Sequence, residues 1–123
     1  MRGWLAIGVF AAVVANAQEG FPLDGTWRGA REAAGAHPVT VVMVMQWDGQ
    51  KISGVINPGP QAIPISDARL TPEGWHVTLA ARTPRGEAIS FDGVVSELGK
   101  YDRSITGTWK EGTHSYHIRM VRE

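Results

Sequence analysis

From Asp24 onward the chain alternates apolar and polar positions in short runs separated by Gly and Pro, the pattern of strands that turn one face to a core and the other to water. Eight runs fit it: Gly25 to Ala30, Val39 to Trp47, Lys51 to Asn57, Ile63 to Leu70, Trp75 to Arg82, Ala88 to Val95, Ser104 to Lys110 and Ser115 to Arg122. No stretch keeps a 3.6-residue apolar period long enough for a helix.

The breaks between runs predict which residues face each other, because loop length sets hairpin register and facing residues share a side of the sheet. Asp48-Gly49 reads as a two-residue turn, which pairs Trp47 with Gln50, Met45 with Ile52, Met43 with Gly54 and Val41 with Ile56. In Thr83-Pro84-Arg85-Gly86, Pro starts a type I turn and Gly takes the left-handed position of a three-residue loop. That loop sets Ala81 against Ile89, Leu79 against Phe91, Val77 against Gly93 and Trp75 against Val95, leaving His76, Thr78, Ala80 and Arg82 outside. Glu111-Gly112 as a two-residue turn pairs Trp109 with His114, Gly107 with Tyr116 and Ile105 with Ile118. In the fourth run Ile63 and Ile65 keep one phase and Ala68 and Leu70 the other, so a bulge is expected near Ser66-Asp67.

Eight consecutive strands with one apolar face and no helix to cover it must form a sandwich or close on themselves. Hairpin-sized connections favour closure, and the expected fold is all-β, an eight-stranded antiparallel up-and-down barrel. Closure also removes exposed strand edges.

Ahead of this domain, Arg2, the apolar run Leu5 to Val14 and Ala15-Asn16-Ala17 have the order of a secretory leader: a positive end, a short apolar stretch and a small-x-small cleavage site. The run is too short to span a bilayer, which needs about 20 residues. The expected organisation is therefore a signal peptide over 1–17, a connector over 18–23 and a barrel over 24–123, in a protein exported to the periplasm or beyond. Twelve basic and twelve acidic residues leave no net charge, so nothing recruits nucleic acid or an anionic membrane. With no cysteine there is no disulfide, and packing alone must hold the fold.

Asp24-Gly25-Thr26-Trp27 resembles the Gly-x-Trp motif that opens the barrel of lipocalins and other members of the calycin superfamily. Ile118 to Arg122 is similar to that superfamily's last strand, whose arginine packs across the first-strand tryptophan. The resemblance implies that Trp27 and Arg122 form a barrel-end pair, with Arg119 the alternative, held by a cation–π contact worth roughly 0.5 to 2 kcal/mol. A nearer likeness is to the short lipocalin-like barrel domain of secreted bacterial proteins, which Ile52 to Ile65 and Ile105 to Gly112 resemble. Gly-Thr-Trp also occurs in avidin-like barrels, which Gly74-Trp75 resembles too.

No arrangement in the sequence supplies catalysis. The serines sit in plain strand or loop contexts with no nucleophile elbow, and no Gly-rich loop opens a helix. His114 and His117, three apart on a strand, point to opposite faces and do not form a metal pair. Asp92 falls on the outer face opposite Thr78, while Asp48 and Glu111 lie in or beside turns. The expectation is no enzyme, no metal and no cofactor.

Two features carry a binding expectation. The first is the interior, whose ligand-lining candidates are Met43, Met45, Ile56, Trp75, Val77, Leu79, Phe91, Trp109, Tyr116 and Ile118. An eight-stranded barrel is at the size where side chains either fill it or leave room for one small apolar or amphipathic ligand. The second is the second run, apolar on both faces, which points Val42 and Val44 outward beside Val55. Those three are scattered surface valines or a contact face for a second copy or another protein.

Overall fold

The computed structural model describes residues 21–123, so the expected leader lies outside the described residues. A 3-10 turn at Phe21–Leu23 precedes β1 (Gly25–Glu32), β2 (Val39–Trp47), β3 (Ile52–Ile56), β4 (Ile63–Thr71), β5 (His76–Arg82), β6 (Ala88–Ser96), β7 (Ser104–Glu111) and β8 (His114–Arg122). Each strand pairs antiparallel with the next, and β8 pairs with β1 to close an eight-stranded barrel. The architecture is an eight-stranded antiparallel up-and-down barrel, compatible with the lipocalin-like or avidin-like arrangement that the resemblance implies. Among the described residues no helix is long and apolar enough to cross a membrane.

Alternation decides the inside of the barrel. Along β6, Ile89, Phe91, Gly93 and Val95 are buried and the residues between them exposed. The core comprises Trp27, Val41, Met43, Met45, Ile52, Ile56, Val77, Leu79, Ala81, Ile89, Phe91, Val95, Ile105, Trp109, Ile118 and Met120, joined by Leu23 from the 3-10 turn. Leu23, expected in the connector, is instead fully buried. It is drawn in because the Trp27 indole N–H donates to its carbonyl at 2.8 Å, which satisfies the only polar atom of a buried ring.

Faces and registers part company in two hairpins. Between β2 and β3 the rungs are Trp47 with Ile52, Met45 with Gly54 and Met43 with Ile56, two residues away from the expected pairing. The turn holds four residues because Asp48 Oδ1 accepts the backbone N–H groups of both Gln50 and Lys51, at 2.8 Å each, and so closes the longer loop. Between β7 and β8, Trp109 faces Tyr116, Gly107 faces Ile118, and Glu111 rather than Lys110 forms the last rung, with His114. Gly112, at φ 59, takes the first central position, where a type II′ turn needs left-handed backbone. The β5–β6 hairpin has the expected rungs from Val77 to Arg82, with Gly86 at φ 88. Trp75 is the exception there, since it ends a 3-10 turn over Glu73–Trp75 and β5 starts one residue later. The register shift in β4 falls between Ile65 and Asp67, at the expected bulge.

The two ends of the barrel differ. At one end the 3-10 turn, the β6–β7 loop and the end of β8 are tied together: Arg122 Nε donates to Tyr101 O at 2.8 Å, Arg122 Nη1 to Asp24 O at 3.2 Å and Arg103 Nη1 to Pro22 O at 3.2 Å. This end is closed over Leu23 and Trp27. Trp27 and Arg122 do share a rung of the β1–β8 ladder, but the ring beneath the guanidinium is Tyr101, 4.5 Å from its centroid. The indole lies on the core side of the rung, and the long arginine stem carries its charge outward over Gly25, where the Tyr101 ring and carbonyls wait. Arg119, on the outer face, reaches Glu97 at 3.6 Å instead. The opposite end, formed by the loops β1–β2, β3–β4, β5–β6 and β7–β8, is open.

Candidate functional site

The interior leaves little room for a ligand. Met43, Met45, Ile56, Val77, Leu79, Phe91, Trp109 and Ile118, eight of the ten lining candidates, are packed into the core. Phe91 and Trp109 meet with ring centroids 6.3 Å apart and planes at 49°, a favourable tilted contact. Across one rung, Gly93 and Gly107 let the wall close inward: a Cβ on Gly107 would stand 2.1 Å from the Asp92 carbonyl oxygen, and one on Gly93 2.5 Å from Phe91 Cζ. The other two candidates, Tyr116 and Trp75, are half-buried and sit at opposite ends of the barrel.

What lies at the open end is different in chemistry. The inward alternation Trp27, Gly29, Arg31 along β1 and Ile105, Gly107, Trp109, Glu111 along β7 ends each strand on a charged residue at the mouth. Arg31 pairs with Ile118 and Glu111 with Ile89, both buried core residues, which fixes the two charges on the inner side. Arg31 Nη1 donates to Glu111 Oε1 at 2.7 Å. The guanidinium lies 4.5 Å over the Tyr116 ring, and His114 stacks on that ring's neighbourhood at 6.3 Å and 20°. The Trp109 indole N–H also points to Glu111 Oε1, at 3.4 Å. Val39, opposite Arg31 on β2, adds an apolar lip that is 46% exposed.

An open cleft of about 750 Å³ adjoins this cluster between the β3–β4 loop and the β5–β6 turn, with Pro60, Ala62, Ile63 and Pro84 on its apolar side and Asn57, Gln61, Glu87 and Glu111 on its polar side. Glu111 is therefore shared between the ion pair and the cleft wall. A second cleft, about 400 Å³, runs beside the short β3–β4 ladder; its ion pair, Asp67 with Arg69 at 3.2 Å, lies on the outer face and is solvent-exposed. Such a pair contributes little.

Arg31 and Glu111 are absent from the site expected from sequence for two separate reasons. With the β7–β8 turn expected at Glu111-Gly112, the carboxylate belongs to a turn; with the turn one residue later, at Gly112-Thr113, Glu111 becomes the last inward rung. Extending the β1 alternation beyond Ala30 would have found Arg31. The remaining candidates stay on the surface. Val44 and Val55 share a rung and, with Val42, are half-buried on the outer face. His76 is bonded to Asp92 on that face, His117 pairs with Thr108 there, and among the described residues no three His, Asp or Glu are placed to hold a metal ion.

Comparison with family models, curated proteins and solved structures gives no match. The fold and the mouth therefore carry the functional reading by themselves.

Proposed function

We propose that the protein is an exported, non-enzymatic barrel of the lipocalin-like kind that binds a small amphipathic molecule at its open mouth. One observation carries this reading: the inward-facing Arg31–Glu111 pair, seated on Tyr116 and Trp109, caps a packed core and opens into a cleft of about 750 Å³. A charged pair at a barrel rim, desolvated on one side and flanked by aromatic rings and an exposed valine, offers a polar anchor beside an apolar bed. The packed interior favours the mouth over the lumen. The leader-like N-terminus supports export.

The test is native mass spectrometry of the protein purified from its own host. The expected result is a non-covalently retained small molecule that is lost in Tyr116→Ala. A wild-type protein recovered only at the mass of its bare chain refutes the reading.

A further inference from the structure

The guanidinium of Arg31 is under-satisfied for its burial. Its side chain is 21% exposed, its single acceptor is Glu111 on Nη1, and Nε is buried with no partner. Among the described residues no other buried side-chain nitrogen or oxygen is left without a bond. Five N–H groups with one carboxylate oxygen between them leave the edge formed by Nε and Nη2 unbonded, with its Nε end sealed from solvent, and that edge has the spacing of a carboxylate's two oxygens. A buried, incompletely bonded donor is unfavourable, so an incoming acceptor gains from completing it.

The surroundings limit the rest of the ligand. Directly below Arg31 the barrel is filled by Ile118 and Trp109, which excludes a long chain threading inward. Sideways lie the Tyr116 ring, covered on one face by the Arg31 guanidinium and stacked with His114, and the prolines of the neighbouring cleft. The charges of the pair and the cleft are Arg31 and Arg85 against Glu87 and Glu111, with Glu32 exposed on the other side of the β1 end. Because Nε is sealed from water, the fork opens to a ligand only if the Arg31 side chain shifts, a movement opposed by one ion pair and one ring contact.

We infer that the mouth takes a short, planar carboxylate, whose two oxygens bond Nε and Nη2 of Arg31 while its ring lies on the rim aromatics. This rests on the mouth being the binding site and adds the ligand's chemistry. Calorimetric titration of the folded protein with naphthoate, naphthalenemethanol and decanoate separates the two. Naphthoate is expected to bind, with the alcohol and the flexible decanoate each about tenfold weaker or more, the equivalent of about 1.4 kcal/mol. Arg31→Lys, which keeps the charge and loses the fork, is expected to weaken naphthoate about tenfold. Glu111→Gln, which removes the carboxylate that competes for the guanidinium, is expected to tighten naphthoate, and it keeps the test sharp if Arg31 variants fold poorly. Equal binding of alcohol and naphthoate overturns the carboxylate fork but leaves the mouth as a site. Decanoate binding more tightly than naphthoate overturns the planar ligand. Heat from none of the three overturns this inference and argues against mouth binding itself.

Discussion

The packed core decides where a ligand can sit, and Phe91→Ala tests it. Phe91 is 1% exposed, meets Trp109 at 6.3 Å, and closes so tightly on the wall that a Cβ on Gly93 would come within 2.5 Å of its ring. Removing the ring forfeits the transfer of a buried phenyl group and leaves a cavity that neighbours on a closed barrel cannot fill by sliding, a cost of about 3–5 kcal/mol. With a urea slope of about 2 kcal/mol per M, about 4 kcal/mol moves the unfolding midpoint by roughly 2 M. Against a total stability on the order of 5–15 kcal/mol this is large enough to read without ambiguity. If Phe91→Ala does not fold, Phe91→Leu serves, with a smaller loss on the order of 1 kcal/mol. A loss below about 1 kcal/mol for the alanine variant would refute the reasoning, since it would mean that the interior already has room and that the lumen, rather than the mouth, is available to a ligand.

Other expectations follow from single contacts. Gly107→Ala places a methyl 2.1 Å from a backbone oxygen and 2.5 Å from Gly93 Cα, so a loss of about 2 kcal/mol and a fall in Tm on the order of 10 °C are expected in a thermal melt. The Lys51 backbone N–H, then that of Gln50, hold the Asp48 carboxyl below its ordinary value of 3.8. Because the folded pKa is depressed, the stability Asp48 contributes to the β2–β3 turn is present above the unfolded value and lost as pH falls through the folded one. An NMR titration of Asp48 should therefore show a midpoint below 3.8, and a midpoint above it would contradict the cap. Half-buried Val42, Val44 and Val55 predict that wild type and Val44→Glu elute alike as monomers in sizing chromatography. A wild-type dimer dissociated by Val44→Glu would instead establish that face as an interface.

Much of this barrel is legible along the chain because alternation is a local property. Any stretch such as Ile89-Ser90-Phe91-Asp92-Gly93 states which residues turn inward before its neighbours are known. The strand count, the inner face and the bulge in β4 followed from that period and from Gly and Pro at the turns. Register is another matter. A shift of two residues preserves every face, so hydrophobic pattern cannot distinguish Trp109 opposite His114 from Trp109 opposite Tyr116. The choice was made by the Asp48 side chain bonding two turn amides in one hairpin and by the position of Gly112 in the other.

The site depends on that choice. Sequence by itself determined an apolar-lined β domain preceded by a leader-like pattern; the mouth needed the tertiary structure. Only closure of β8 on β1 brings Arg31 within 2.7 Å of Glu111, eighty positions away along the chain, and only the extension of β7 to Glu111 carries the inward alternation far enough to meet it. Charge at a strand end is ordinary in a sequence, where water is the default partner. It becomes informative when three-dimensional packing places two such ends over a filled core and leaves one guanidinium with fewer acceptors than its burial demands.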